Sequence, residues 1–352
     1  MARKGISRLF TRKGMNSRPE ISEVVPRAGI AGGEVTIRGA NFANGHGRPR
    51  VLFGETEAPV VISTDNFVIA RVPEGATSSG VMLSTAAQSS NVHEFDIGVL
   101  IADNLHPVAN PALDAEGNIY VTFSGTRGQK APVSLFKIDL DYKVRPFVSD
   151  IMNASGLAFD RAGYLYVSSR NDGTVYRVAQ NGSASLWAEG MGIATGLAFD
   201  TNENLYVGDR SGTIFKIARD RQIFVYATLE ASIAAYHLAF GPDHYLYVTG
   251  PTTSSFDSVY RVAPSGEVET FYRGLGRPQG LAFDIEGNLY VAASIGGRKG
   301  IVRVSPDRRA ELAVSGAGLV GLAFTPGRAM IVATTSAVFH LNWPVRGLPL
   351  LP

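Results

Sequence analysis

Short runs of alternating apolar and polar residues fill most of the chain, and one pattern recurs. Gly-Leu-Ala-Phe-Asp, a short turn and Leu-Tyr-Val occur together in four close copies, and two degenerate copies make six. The copies begin at residues 110, 156, 196, 237, 280 and 321, so they are 40 to 46 residues apart. Alternation with period two predicts β-strands, and a nearly fixed spacing indicates one structural unit per copy.

Each copy predicts four strands, A to D, with an Asp-containing hairpin turn between A and B. In the second copy, strand B reads LYVSS, strand C reads TVYRVA and strand D reads ASLWAEG. Four short strands in about 40–45 residues is the length of one β-propeller blade. The sixth copy lacks strand D, but residues 98–103 can supply it from the N-terminal side. Such a closure of the ring removes two sheet edges.

The segment before the repeats has a different pattern. Residues 19–97 contain short alternating strands separated by Gly and Pro turns, which predicts a small β-sandwich. We therefore predict an all-β protein, in which this sandwich precedes a six-bladed β-propeller closed by an N-terminal strand. The expected boundaries are a basic flexible tail at 1–18, the sandwich at 19–97, the propeller at 98–345 and a C-terminal tail at 346–352.

Composition and charge limit the classes of function that the sequence allows. Glycine accounts for 39 of 352 residues and charged residues for only 18%, which suits a turn-rich β protein. Six of the 33 basic residues lie in 1–18 without an acid, so the other 27 face 31 acids and leave −4. This balance disfavours nucleic acid as a partner. The absence of cysteine excludes disulfides, thiolate metal sites and a cysteine nucleophile.

Targeting signals are equally sparse in the sequence. No apolar run reaches the roughly 20 residues of a membrane span, and no secretory signal pattern precedes the sandwich. We therefore predict no transmembrane segment. The compartment stays open, with the cytoplasm as the default expectation and an extracytoplasmic location as the alternative.

Two resemblances follow from these motifs. The repeated GLAFD and NLYV motifs make residues 98–345 resemble the NHL-type six-bladed propellers, a superfamily that includes the gluconolactonase-like proteins. Segments 26–33, 35–42, 51–54 and 70–75 resemble an IPT/TIG domain, an immunoglobulin-like module. Such modules commonly act as spacers or docking domains beside another domain. Together the resemblances imply a fold and an accessory two-domain arrangement, but no chemistry.

The propeller topology sorts the charged residues between two faces. The D–A and B–C loops share the funnel face, around the central axis, and the A–B turns lie on the opposite face. The A–B turns hold these acids: Asp114, Glu116, Asp160, Asp200, Glu203, Asp243, Asp284 and Glu286. The B–C loops hold these bases: Arg127, Lys130, Arg170, Arg210, Arg298 and Lys299. The funnel face is therefore expected to attract an anionic or sugar-like ligand, unless these are ordinary solvated loops.

The resemblance to gluconolactonase-like enzymes implies a divalent metal in the funnel, held by acidic or Asn residues, several of them just before the Gly of strand A. The equivalent residues here are Ala109, Ser155, Thr195, Tyr236, Gln279 and Val320. None is a carboxylate, whereas hard cations take several oxygen ligands. Asn153 and Asp209 lie nearby but are too few to rebuild the site. A lyase of the virginiamycin type would use a His and a Glu, and only His237 is present there.

Other motifs are better explained by the repeat. DAEGN at 114–118 and DIEGN at 284–288 resemble calcium loops, but the position of the required Glu holds Gly125 and Ile295. We predict hairpin turns in which the Asp accepts backbone N–H groups. The glycines of 316–321 lead into a strand rather than a helix, which excludes a dinucleotide site. Phe and Tyr recur at fixed phase in the blades, which favours packing between blades over a stacking surface.

The first functional hypothesis is a non-catalytic binding protein, expected to be a monomer. Its funnel face would recognise a protein or peptide, a glycan or a small anionic ligand, and the TIG-like domain would be a spacer or docking module. No catalytic residue, metal ligand or cofactor is predicted. The candidate ligand-binding residues are Asn153, Ser155, Thr195, Tyr236, His237, Arg277 and Gln279 in D–A loops, with Arg170, Asp209 and Arg210 in B–C loops.

Two further hypotheses stay open. One is a metal-dependent lactonase or lyase with rearranged ligands, and only this alternative calls for a divalent metal such as calcium. The other is a purely structural scaffold with no small-molecule site.

Overall fold

The structure is a computed structural model and describes residues 18–42, 48–76, 80–86, 88–124 and 131–348. The predicted basic tail up to residue 17, the last four residues and the candidate bases Arg127 and Lys130 lie outside the described residues. All the regular structure described is β-strand. The described residues therefore contain no helix that could span a membrane.

Nine short strands precede the propeller proper. They are β1 (Glu20–Val25), β2 (Ala28–Gly29), β3 (Glu34–Ala40), β4 (Arg50–Phe53), β5 (Thr56–Ala58), β6 (Val60–Ser63), β7 (Phe67–Arg71), β8 (Val81–Ser84) and β9 (Asp96–Ile97). Two sheets, ordered β1-β3-β7-β6 and β5-β4-β8, enclose one apolar core. Val35, Val51, Phe53 and Val68 are fully buried in it. The alternating pattern thus produces the predicted sandwich, with one face of each sheet turned inward.

The remaining strands form the propeller. They are β10 (Val99–Ala102), β11 (Ala112–Leu113), β12 (Ile119–Thr122), β13 (Leu135–Ile138), β14 (Val144–Val148), β15 (Ala154–Phe159), β16 (Leu165–Ser169), β17 (Thr174–Val178), β18 (Ala184–Ala188), β19 (Ala194–Phe199), β20 (Leu205–Asp209), β21 (Thr213–Ile217), β22 (Ile223–Thr228), β23 (His237–Phe240), β24 (Leu246–Thr249), β25 (Asp257–Val262), β26 (Val268–Leu275), β27 (Leu281–Phe283), β28 (Leu289–Ile295), β29 (Arg298–Val304), β30 (Ala310–Ser315), β31 (Leu319–Phe324), β32 (Ala329–Thr334) and β33 (Val338–Asn342).

These strands form six blades within the described part of the chain. Blades 1 to 5 take four consecutive strands each, from β11 to β30, and blade 6 has the order β10-β33-β32-β31. Its outer strand β10 pairs antiparallel with β33, so that Val99 lies opposite His340 and Leu100 opposite Phe339. The ring is therefore closed by the N-terminal strand, as the missing sixth D strand predicted.

Burial follows the position of each strand in its blade. Strand β16 is buried at all five residues, because a neighbouring blade covers each of its faces. Strand β18, at the outer edge of the same blade, exposes its first three residues. The repeated aromatics pack between blades, for example Tyr166 edge-on against Phe199 with ring centroids 5.0 Å apart. The prediction of inter-blade packing is confirmed.

Glycines let the innermost strands touch around the axis. A methyl group on Gly196 would lie 2.6 Å from the carbonyl oxygen of Tyr236 and 2.9 Å from the Cα atom of His237. Asn110, at the equivalent position of blade 1, donates to the carbonyl of Leu281 (2.8 Å). Oδ1 of Asn110 also accepts the N–H of Leu322 (3.1 Å), so this side chain links blade 1 to blades 5 and 6.

The sandwich is hydrogen-bonded to the propeller. Strand β2 pairs in parallel with β30 and with β9, which extends blade 5 to six strands. Ile30 donates to the carbonyl of Ser315 (2.9 Å), and a methyl group on Gly33 would lie 2.6 Å from the same oxygen. Strand β9, just before residue 98, belongs to the same sheet as blade 5. The domain boundary that the sequence predicts at residue 98 therefore stays a prediction.

Candidate functional site

The same backbone hydrogen bond builds the funnel face in several blades. The residue that follows strand B donates its N–H to a carbonyl of the D–A loop, as Arg170 does to Asn153 (3.2 Å) and Arg210 does to Ile193 (3.1 Å). This bond fixes the backbone position from which the side chain of that residue projects. The equivalent residues in blades 1 to 6 are Ser124, Arg170, Arg210, Pro251, Ser294 and Thr335. At this position only the neighbouring blades 2 and 3 carry a charge.

Arg170 is a partly buried cation whose guanidinium has few hydrogen-bond partners in the protein. Its Nη2 donates to Oγ of Ser124 (2.9 Å), and its Nε is buried without a hydrogen-bond partner. Burial lowers the pKa of Arg170, and the charge of Arg210 lowers it further. A guanidinium stays protonated in spite of such shifts. The funnel therefore holds a charge that its surroundings disfavour.

Arg210 lies beside it and is held by the next loop. Its Nε donates to the carbonyl of Ser232 (3.2 Å), while the backbone N–H of Ser232 donates to the carbonyl of Arg210 (3.0 Å). Neither Arg210 nor Arg170 forms an ion pair with any residue that the structure describes. Two adjacent cations without an ion-pair partner repel each other, which favours an anion beside them.

His237 takes the place of the axial glycine in blade 4. It is 4% exposed, and burial together with the charge of Arg170 lowers its pKa to about 4. The imidazole is therefore neutral at neutral pH, where one ring nitrogen can donate and the other can accept. Its electrostatic coupling to Arg170 brings His237 into the same site as the arginines.

Several candidates prove to be part of the scaffold. The candidate ligand-binding residue Tyr236 is 1% exposed, and its hydroxyl donates to the carbonyl of Glu230. Thr195 is fully buried and its hydroxyl donates to the carbonyl of Gly208 (2.8 Å). Ser155 is 2% exposed. Oγ1 of Thr195 also accepts the N–H of Tyr236 (3.1 Å), which joins blades 3 and 4.

Asp209 is likewise engaged by its own loops. It is 5% exposed and accepts the backbone N–H groups of Ile193 (2.8 Å) and Ser211 (3.2 Å), as well as the hydroxyl of Ser211. Gln279 is half-buried and its Nε2 donates to the carbonyl of Leu319 (3.4 Å). The carboxylate of Asp209 is thus taken up by its own loops, whereas Gln279 makes one long hydrogen bond.

Two candidates project from unusual backbone positions. Asn153 has φ = 51° and is half-buried, and Arg277 has φ = 49° and is exposed. The N–H of Arg277 donates to Oδ2 of Asp257 (3.3 Å), which fixes its loop. The structure thus leaves Asn153, Arg170, Arg210 and Arg277 accessible on this face, with His237 just beneath.

Sequence reasoning missed the residues that frame the arginines. Ser124 binds Arg170, and Ser232 binds Arg210 and is itself 4% exposed. Alignment of the six positions that follow strand B would have identified Ser124. Nothing in the local sequence marks Ser232. Among the described residues, no group of three or more His, Asp or Glu side chains is placed to hold a metal ion.

Comparison with known proteins supports both domain types. Residues 19–94 match the IPT/TIG domain family. The sandwich is a TIG domain. No curated protein matches the chain.

Solved structures match the chain at low sequence identity. An auxiliary nutrient binding protein from Bacteroides thetaiotaomicron is 12% identical with a TM-score of 0.56, and the match covers 94% of this chain and 99% of that one. A putative gluconolactonase is 19% identical with a TM-score of 0.59, over 72% and 94% of the two chains. Virginiamycin B lyase from Staphylococcus aureus is 15% identical with a TM-score of 0.52, over 69% and 97%. At these identities the likeness shows a β-propeller fold alone.

Proposed function

We propose that this protein is a non-catalytic binding protein whose funnel face recognises an anionic ligand, with the TIG domain as a fixed spacer or docking module. The observation that carries the proposal is the pair Arg170 and Arg210, which follow strand B in neighbouring blades and interact electrostatically. They lack an acidic partner within the described residues. An anion bound between them would offset their mutual repulsion.

The chemistry of the pair favours a carboxylate or a phosphate. A guanidinium presents several N–H donors in one plane, which matches the two oxygens of such groups. Ser124 engages only Nη2 of Arg170, and the orphaned Nε shows that the scaffold does not use every donor. The neutral imidazole of His237 adds a donor or acceptor below. The nutrient-binding protein that matches over both domains is consistent with a binding role.

Isothermal titration calorimetry at low ionic strength tests this proposal. The probes are D-gluconate, D-glucuronate and inorganic phosphate, and at least one is expected to bind. Arg170→Met and Arg210→Met should each weaken that binding about tenfold or more, since a charged hydrogen bond contributes about 1.5–3 kcal/mol. Arg328→Met, on the exposed turn of the opposite face, is the matched control and should bind as wild type. Wild-type affinity in both funnel variants, or no binding of any probe, would contradict the proposal.

A metal-dependent lactonase or a lyase is the second candidate. Two observations favour it. His237 in the funnel is neutral, and the chain is similar in fold to solved structures named as a putative gluconolactonase and a lyase. The uncharged residues before the axial positions, such as Ala109, Ser155 and Thr195, weigh against a carboxylate-held metal. Metal analysis of the purified protein, followed by an aldonolactone hydrolysis assay with and without EDTA, tests it. EDTA-sensitive turnover would establish an enzyme, and its absence would eliminate the metal-dependent lactonase.

A further inference from the structure

Exposed apolar side chains lie beside the arginines in one sector of the funnel face. In the loops of blades 3 and 4, Ile193 is 39% exposed, Ile233 is 41% exposed and Phe256 is 65% exposed. A single exposed apolar residue on a surface is ordinary. Here three of them come from loops that are joined to one another, so their common location calls for an explanation.

Hydrogen bonds place Arg210 between the two isoleucine loops. Its N–H donates to the carbonyl of Ile193 (3.1 Å) and its Nε donates to the carbonyl of Ser232, the neighbour of Ile233. The N–H of Ile233 in turn donates to the carbonyl of Pro251 (2.9 Å), where the loop that carries Phe256 begins. Arg210 and the three apolar residues thus lie on loops that are hydrogen-bonded to one another, and we call this set of residues the apolar strip.

Buried polar groups keep these loops in place. Oγ of Ser232 donates to the carbonyl of Pro251 (3.0 Å), and Oδ1 of Asp209 accepts the N–H of Ile193 (2.8 Å). Asp257 is 2% exposed and accepts the N–H and the hydroxyl of Thr252 (2.9 and 2.7 Å), closing the Phe256 loop. Neither acid forms an ion pair with Arg210 among the described residues.

The described D–A loops of the other blades carry no large apolar side chain at the position equivalent to Ile193. In the other blades, the D–A loop residues whose carbonyls accept the equivalent bond are His106, Asn153, Gly276 and Gly318. The anionic end of a ligand at Arg170 and Arg210 would therefore have these apolar neighbours on the blade 3 and blade 4 side. The rest of such a ligand would then lie over these apolar side chains.

We infer that the funnel ligand is an amphipathic carboxylate, with its charged group at Arg170 and Arg210 and its apolar group on Ile193, Ile233 and Phe256. This inference rests on the proposed anion-binding function. Each methylene that leaves water on full burial strengthens binding by about fourfold. If the apolar strip covers one side of the ligand, it contributes about half of that free energy, and each methylene then strengthens binding about twofold.

Calorimetry with butanoate and octanoate tests the inference, because the two probes differ by four methylenes. Octanoate should bind wild-type protein about 15-fold more tightly. Ile233→Asn should reduce that ratio to about fivefold or less, while Arg170→Met should weaken both carboxylates. Leu186→Asn, at an exposed apolar position on the outer strand β18, is the matched control and should leave the ratio unchanged. Thermal melting checks that each surface variant is folded.

The outcomes separate the two proposals. Equal affinity for butanoate and octanoate, or a ratio that Ile233→Asn does not change, overturns the amphipathic ligand. If gluconate or phosphate still binds through the arginines, the proposed function stands. If no anion binds, both proposals are wrong.

Discussion

The two faces of the propeller use polar residues in opposite ways. On the turn face, Asp284 is fully buried and accepts the N–H groups of Glu286 (2.9 Å) and Asn288 (2.8 Å), the side-chain amide of Asn288 (2.8 Å) and the hydroxyl of Tyr290 (3.1 Å). On the funnel face, Arg170 is half-buried and its Nε has no partner. The fold gives the Asp284 carboxylate four hydrogen bonds, whereas it leaves the Nε donor of Arg170 without an acceptor.

The turn-face arrangement recurs because the repeat encodes it. Asp114, Asp160 and Asp200 accept hydrogen bonds from the same turn positions and from the Tyr hydroxyls six residues later. Burial raises the pKa of Tyr290 to about 12, so its hydroxyl stays a neutral donor. The turns that resemble calcium loops are therefore hairpin turns, as predicted. A repeated, internally satisfied network serves the fold, whereas an unrepeated, unsatisfied one is a candidate for function.

The largest change in stability is expected from a substitution on the turn face. Asp284→Ala should lower the free energy of unfolding by about 3 kcal/mol, because several buried donors lose one acceptor. Asp307→Ala is the matched control, since Asp307 is an exposed turn residue of the same blade and should change stability by no more than about 0.5 kcal/mol. Urea denaturation measures both. A similar loss in the two variants would show that the turn network has no special weight.

The sequence predicted much of the fold because regular elements leave regular traces. Six copies of one motif predicted six blades, and the missing D strand predicted that β10 would pair with β33. Fixed aromatic phase predicted contacts such as Tyr206 against Phe240. Each inference used a periodicity that local sequence carries.

The site was harder to predict because it depends on contacts between distant residues. Tyr236 and Thr195 have the residue types of ligand contacts, yet packing of adjacent innermost strands buries both. Arg170 and Ser124 are 46 positions apart and meet only because blades 1 and 2 are neighbours. The parallel pairing of β2 with β30 was also not predicted, since a two-residue strand carries no periodic signal.

An intermediate effect is expected from His237 in acid. Its pKa of about 4 lies below the 6.5 of an unfolded chain, so the unfolded state binds more protons between these values. Stability from the neutral imidazole is present above pH 6.5 and is lost as the pH falls towards 4, by about 1.4 kcal/mol per unit. Denaturation of wild type should therefore lose about 2 kcal/mol more than His237→Gln between pH 6.5 and 5.

The variant isolates this residue because His340, whose pKa burial also lowers, is kept in both proteins. Equal pH dependence in the two proteins would show that His237 is not held neutral by the fold. If His237→Gln does not fold, an NMR titration of the imidazole gives the same information. An apparent pKa near 6.5 would then contradict the prediction.

The smallest effect on stability is expected at the proposed ligand-binding arginines. Arg170→Met removes a half-buried cation with an unpartnered Nε and a like charge beside it, so the free energy of unfolding should stay the same or rise by about 1 kcal/mol. Arg177→Met in strand β17 is the matched comparison. Its guanidinium also has a buried, unpartnered Nε, but it lies 3.4 Å from the ring centroid of Tyr164.

Loss of that cation–π contact should lower the stability of Arg177→Met by about 1 kcal/mol. Denaturation of the two variants side by side therefore separates a cation that the fold uses from one that the fold merely tolerates. A loss of 2 kcal/mol or more in Arg170→Met would make Arg170 a structural residue. The anion-binding proposal would then need support from Arg210 alone, because the argument from an unsatisfied charge would no longer apply to Arg170.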